Sequence, residues 1–219
     1  MPPVIPSELP PIIAPVLPPF LDLGGTAVFA LSGALLAARL NQTFVTCAFF
    51  ALLTGVGGGS VRDAMLGVPA FWLRDFWVAP VILFTALIAW FIPRKWWEGR
   101  GSWLEWADAI GLALFSTLGV AKALAFEVAP LAAIILGIVT GCVGGIVRDV
   151  IAGVPSILMR PELYVTAAAL ASSLCGVMIL MGMQQGWAMG IAALAGFALR
   201  GAAMIWRIEL PAYSREVKD

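Results

Sequence analysis

The sequence predicts an all-α integral membrane protein, with seven transmembrane helices arranged as two inverted three-helix repeats followed by a seventh helix. Three observations carry this prediction. Of 219 residues, 61% are hydrophobic and only 12% are charged, whereas a soluble domain keeps a surface of roughly 25–35% charged residues. Several uncharged apolar stretches reach the roughly 20 residues that cross a bilayer. Finally, the string TGVGGGSVRD, Thr54–Asp63, returns nearly unchanged as TGCVGGIVRD, Thr140–Asp149.

The first twenty residues, MPPVIPSELPPIIAPVLPPF, are apolar but crowded with proline. They lack the basic start and continuous helical core of a signal peptide and read as an extended, polyproline-like leader over residues 1–20. Spans are expected at about 21–38, 43–66 and 76–92, which form the first repeat, 21–92. A connection over 93–107 follows, PRKWWEGRGSWLEW with its flank, whose tryptophans suit anchoring at headgroup level. Spans at about 108–126, 130–152 and 163–181 make the second repeat, 108–181. The seventh span, about 186–206, lies in a segment covering 182–210, and 211–219 form a short tail.

Lysine and arginine in the connections set the orientation. Arg39, Arg94, Lys95, Arg100, Arg160, Arg207, Arg215 and Lys218 fall on one side of the membrane, and Arg74 on the other. The side rich in positive charge is cytoplasmic, so the C-terminus is expected inside and the N-terminus outside, in agreement with an odd number of spans. Short connections favour a bacterial plasma (inner) membrane.

One ungapped offset of 86 positions superposes the repeats. Asp22 falls on Asp108, Gly25 on Gly111, Phe29 on Phe115 and Gly33 on Gly119; the motif falls on its copy, Gly67-Val68-Pro69 on Gly153-Val154-Pro155, and Arg74 on Arg160. A unit of three spans is odd, so the second copy enters the membrane from the opposite face, a plan common among transport proteins.

Glycine weakens a helix by about 1 kcal/mol per residue. Gly57, Gly58 and Gly59 lie about 22 Å into the second span, and Gly144 and Gly145 occupy the matching place in the fifth. A helix break there is expected, with Ser60 and Asp63 capping the second half. Two such breaks meeting antiparallel would offer free carbonyls to a cation, which makes Thr54, Thr140 and these glycines the candidate pore and gate. The alternative for the glycines is close helix packing. Arg62–Asp63 and Arg148–Asp149 either line the pore or brace the two halves. Because neighbours on a helix project about 100° apart, each Arg is expected to pair across helices, with an Asp of the other repeat. Asp22 and Asp108 are expected to favour helix N-termini through the dipole. Lys122 stands where the first repeat has Leu36, and either snorkels to the interface or acts as a field-sensing or ion-repelling group. Arg200 and Arg207 are expected to anchor the cytoplasmic end of the last span.

Other classes are excluded by what is missing. The chain has no histidine, and Cys47, Cys142 and Cys175 lie in apolar runs without C-x-x-C spacing, which argues against metal sites and disulfides. No nucleophile elbow, Walker loop or acid–base pair points to an enzyme, no cofactor is implied, and zero formal charge argues against nucleic acid.

The two glycine-rich segments ending in V-R-D, each followed by G-V-P, in a three-plus-three-plus-one chain resemble the prokaryotic trimeric intracellular cation (TRIC) channels. The ending RGAAMIWRIELP is similar to the last span of that family, and the resemblance covers Asp22 to Pro211. It implies a homotrimer with an hourglass pore in each subunit, lined by the first, second, fourth and fifth spans, passing K+ chiefly and some Na+. It implies further that Gly57–Gly59 and Gly144–Gly145 form the constriction and that Lys122 holds the place tied to voltage response. The second cluster reads V-G-G where the first reads G-G-G, a departure from the pattern. Related bacterial sequences are also described as glycine transporters. That supplies the alternative of a carrier for glycine or another small amino acid, with Arg taking its carboxylate and Asp its amine.

The orientation has a direct test. A reporter fused to the C-terminus is expected to be active only in its cytoplasmic form; external activity overturns the assignment.

Overall fold

A computed structural model describes residues 19–93 and 103–211. These form seven α-helices: α1 Pro19–Arg39, α2 Phe44–Met65, α3 Val78–Phe91, α4 Trp103–Ala125, α5 Pro130–Ala152, α6 Val165–Leu180 and α7 Gln185–Trp206. The expected leader up to residue 18, the connection 94–102 with Arg94, Lys95 and Arg100, and the tail from 212 with Arg215 and Lys218 lie outside the described residues. Five helices, α1, α2, α4, α5 and α7, are long and apolar enough to cross a membrane. The last helix of each repeat is shorter, with 14 residues in α3 and 16 in α6. The fourth helix starts at Trp103, ahead of the expected Asp108.

Local chemistry explains the ends. Thr43 caps α2 by accepting a hydrogen bond from the Thr46 N–H at 3.3 Å. Pro130 opens α5, where its missing N–H costs nothing. Gly67 and Gly153 follow α2 and α5 in left-handed conformations, φ 69° and 65°, and a proline two residues later prevents the helix from resuming. The G-V-P string is thus a helix stop written twice.

The repeat seen in the sequence is a repeat in space. Within the units α1 packs on α2 and α4 on α5; between them α1 meets α4 and α2 meets α5, while α7 lies against α4 and α6. Phe29 and Phe115, equivalent residues, stack with centroids 5.3 Å apart. A methyl group on Gly25 would press on the Phe115 ring at 2.9 Å, and one on Gly111 on the Phe29 ring at 2.7 Å. Such reciprocal contacts, residue i to j and its equivalent to the reverse pair, are the mark of a two-fold relation, and the order of the contacts makes the units antiparallel. Outside, Val45, Phe49, Phe84, Phe91, Leu131 and Leu194 are exposed, an apolar perimeter suited to hydrocarbon. The fold is the predicted one, two inverted three-helix repeats plus a seventh helix.

One prediction about the middle helices is corrected. α2 remains hydrogen-bonded helix through Gly57, Gly58 and Gly59, and α5 through Gly144 and Gly145. No break occurs at either cluster, and Ser60 is no cap: its Oγ accepts from Trp72 Nε1 at 3.0 Å. The glycines serve proximity instead. A Cβ on Gly58 would overlap the Thr140 carbonyl oxygen, and one on Gly144 would lie 2.9 Å from that of Thr54. Small residues let two membrane helices touch backbone to backbone, and here carbonyls of Thr54 and Thr140 face the opposite glycine. The energy gained across this crossing outweighs glycine's low helix propensity.

Gly58→Ala is therefore expected to destabilise the detergent-solubilised protein by about 1–3 kcal/mol, the range for forcing a methyl group into a packed contact. Gly190→Ala is the control, because nothing lies within 4 Å of its added Cβ; it is expected to stay within about 1 kcal/mol of the parent. Equal effects would remove the crossing as the reason for Gly58.

Candidate functional site

Each repeat buries one arginine and gives it two carboxylates. In the first, Arg62 Nε donates to Asp63 Oδ1 at 2.8 Å and Nη1 to Asp22 Oδ1 at 3.2 Å. In the second, Arg148 Nε donates to Asp149 Oδ1 at 2.9 Å and Nη1 to Asp108 Oδ1 at 2.7 Å. The second oxygen of each neighbouring aspartate is also matched: Asp63 Oδ2 accepts from the Phe71 N–H at 2.7 Å and Asp149 Oδ2 from the Ile157 N–H at 2.9 Å. Those amides begin short 3₁₀ turns, Phe71–Leu73 and Ile157–Met159. Arg62, Asp63 and Asp108 are at most 1% exposed and Arg148 and Asp149 at most 4%, so nearly every charge is compensated by protein.

Each Arg does pair across helices, as expected, with Asp22 or Asp108, but three other expectations are overturned by this geometry. Each Arg pairs with its sequence neighbour, because a long guanidinium can bend back along the helix although the Cβ vectors diverge. Its second carboxylate belongs to its own repeat, not to the other. Asp22 and Asp108 do more than favour a helix N-terminus: they are ion-pair partners, and Asp108 sits five residues inside α4. A signal for them was present, since Asp22–Arg62 and Asp108–Arg148 share one separation, 40 residues.

The two clusters lie at opposite ends of the seam between the repeats, with the Thr54–Gly144 and Gly58–Thr140 crossing between them. Their surroundings differ. Lys122 crosses from the second repeat to the first and donates to Asp63 Oδ1 at 2.8 Å, with 18% of its side chain exposed; it points inward to a partner instead of snorkelling. At the other end Leu36 takes its place, and the link between repeats runs from Arg148 Nη1 to Ser32 Oγ at 3.0 Å. That end opens into a cavity of about 70 Å³, lined by Leu36, Arg39, Glu105, Asp108, Arg148 and Arg160 among others. Between the clusters the hydroxyls of Thr26, Thr54 and Ser116 are buried with no hydrogen-bond partner among the described residues. Arg200 is not an anchor at the surface; it is 2% exposed and donates to Glu162 at 2.6 Å. Among the described residues no group of three or more His, Cys, Asp or Glu could hold a metal ion.

Fold and site together define a polytopic α-helical membrane protein of two inverted repeats with a buried charge cluster at each end of the seam. The sequence family described as glycine transporter matches the chain twice, over residues 19–94 and 105–182, once for each repeat. A membrane protein of the UPF0126 group from Vibrio cholerae is 37% identical over 200 residues, covering 89% of this chain and 82% of the relative. The inner membrane protein YadS of Escherichia coli K12 is 34% identical, covering 89% of this chain and 95% of the relative. The crystal structure of the TRIC trimeric intracellular cation channel orthologue from Rhodobacter sphaeroides superposes with a TM-score of 0.78 at 32% identity, covering 86% of this chain and 97% of that one. The chain belongs to this family of TRIC and UPF0126 membrane proteins. Within it the solved relative is described as a cation channel and the family model as a glycine transporter, and neither description is that of an enzyme.

The clusters predict a ranking of substitutions. Asp149→Asn weakens one of the two carboxylates that hold a buried Arg148, and is expected to cost about 3–5 kcal/mol in detergent unfolding. Lys122→Gln leaves Asp63 its bonds from Arg62 and Phe71, and is expected to cost about 1–3 kcal/mol. The reverse order would show that the clusters do not brace the fold.

Proposed function

We propose that the protein is a monovalent cation channel, permeable chiefly to K+ and also to Na+, with a pore inside each subunit between α1, α2, α4 and α5. The observation that carries this reading is the seam itself: a charged cluster at either end, and between them a contact of Thr54, Gly58, Thr140 and Gly144 in which backbone carbonyls face glycine. Carbonyl dipoles replace part of a cation's hydration shell, and glycine surfaces part without unlocking any side chain. Gly57, Gly58, Gly59, Gly144 and Gly145, with Thr54 and Thr140, are on this reading the gate, closed in the conformation described. Arg62, Asp63, Arg148 and Asp149 brace the mouths and set their field. Lys122 is the candidate for voltage response, since a charge moved across the whole membrane gains about 2.3 kcal/mol per 100 mV and its partner Asp63 lies on the other repeat.

The same reading takes the chain as a homotrimer in a bacterial inner membrane with the N-terminus outside and the C-terminus cytoplasmic. Repeats 21–92 and 108–181 each contribute half of the pore. The relative that supports the trimer is the Rhodobacter sphaeroides protein, whose description is trimeric.

A second reading, a carrier for glycine or another small amino acid, is favoured by the family description and by the Arg–Asp pairs. Against it, each guanidinium is already engaged by two carboxylates, so binding a substrate carboxylate would first require breaking a buried pair. One measurement separates the two. Protein in a planar bilayer under a K+ gradient is expected to give unitary current steps. Smooth, saturable, competable glycine uptake without unitary events would transfer the function to the carrier.

A further inference from the structure

The two clusters are not balanced alike. At one end Asp22 and Asp63 face Arg62 and Lys122, two charges of each sign. At the other, Asp108 and Asp149 share Arg148 as their one salt-bridge partner among the described residues, and Leu36 stands in the place of the lysine. Arg39, Glu105 and Arg160 line the cavity further out and are half-buried or exposed. A carboxylate as buried as Asp108 needs a compensating charge close by.

The seventh helix holds a candidate. Arg200 is 2% exposed, and its guanidinium lies 5.5 Å from the centroid of the Tyr164 ring. The Tyr164 hydroxyl and Asp108 Oδ1 border one point: a Cβ on Gly145 would lie 2.5 Å from the former and 3.0 Å from the latter. At the equivalent Gly59 that space is filled by the Phe71 ring. Asp108 Oδ2, the Tyr164 hydroxyl and Arg200 Nε and Nη1 are all buried without a hydrogen-bond partner among the described residues. These are an acceptor, a hydroxyl able to play either role and two donors, a set that complements itself directly or through one ordered water. On its far side Arg200 is tied to Glu162, which Arg160 approaches at 3.7 Å. Signs therefore alternate from the surface inward: Arg160, Glu162, Arg200, then Tyr164, Asp108 and Arg148.

We propose that Arg200, acting through Tyr164, is the counter-charge of the Asp108–Arg148–Asp149 cluster and sets the field at that mouth of the pore. The seventh helix, which has no counterpart in the repeat, thereby does for this end what Lys122 does for the other. Arg200 is a positioning residue in this scheme, since it acts on the ion path through Asp108. Gly145 is required for the contact, because any side chain there would separate Tyr164 from the carboxylate.

This inference rests on the channel reading, and its test keeps the two apart. K+ currents are compared for the parent, Arg200→Gln, Arg200→Lys and Tyr164→Phe, inserted in one orientation. Arg200→Gln makes the Asp108 mouth more negative and is expected to raise current entering there by about twofold over the reverse direction. Tyr164→Phe is expected to move the ratio the same way, and Arg200→Lys to keep the parent ratio. An unchanged ratio in Arg200→Gln, or an equal change in Arg200→Lys, overturns the proposal. Where Arg200→Gln does not assemble, Glu162→Gln removes the anion instead and is expected to shift the ratio oppositely; no shift overturns the proposal too. Independently of any flux, the melting shifts of Asp108→Asn and Arg200→Gln are expected to be non-additive in the double variant, and additive shifts overturn the link. Absence of K+ current in the parent overturns the channel reading alone.

Discussion

Two guanidinium groups, those of Arg62 and Arg148, are buried between the helices of the repeats, and the architecture is arranged around keeping them neutralised. Each needs a neighbouring carboxylate on its own helix, another from the preceding helix, and a backbone amide to occupy the carboxylate oxygen left over. Those three demands fix how α1 lies on α2 and α4 on α5, and where the chain must turn after the G-V-P stop so that Phe71 or Ile157 presents its amide. Removing one member of such a cluster leaves a charge without an escape into solvent, which is why the repeats behave as units and why so few charges in the chain suffice to specify them.

Much of this was readable in advance. Composition announced the membrane, the single offset announced the inverted repeat, and the G-V-P strings marked helix ends. What failed did so for identifiable reasons. Glycine's low propensity argued for a break at Gly57–Gly59, but propensity is a local quantity, and the contact that overrides it involves Thr140 on another helix. The rule that adjacent residues diverge by about 100° describes Cβ directions; it says little about an arginine whose reach exceeds the helix radius. The partnership of Asp22 with Arg62 could have been found by asking which charged pairs keep their spacing in both copies. Lys122 and Arg200 could not, because their partners Asp63 and Glu162 are set by tertiary packing alone.

Departures from the two-fold relation are as informative as the relation. Where symmetry holds, in Phe29 on Phe115 or Thr54 facing Gly144, residues serve folding and the meeting of the halves. Where it fails, at Lys122 against Leu36, Ser32 against Leu118 and Tyr164 against Val78, the exceptions gather around the charge clusters. On the channel reading the two mouths face different sides of one membrane potential, and a perfectly mirrored molecule could not tell them apart.

The third helix of each repeat is short. Fourteen residues in α3 and sixteen in α6 extend about 21 and 24 Å at 1.5 Å per residue, against a hydrocarbon layer of about 30 Å. Both carry lipid-facing side chains, Phe84 and Leu87 on one, Leu170 and Val177 on the other. Where lipid meets these helices, the mismatch is taken up by local thinning, by flanking side chains that snorkel or by contact with another subunit, at a cost of a fraction of a kcal/mol for every ångström. Acyl-chain length thereby becomes a mechanical load on the periphery of the fold, one that a thin membrane relieves and a thick one increases.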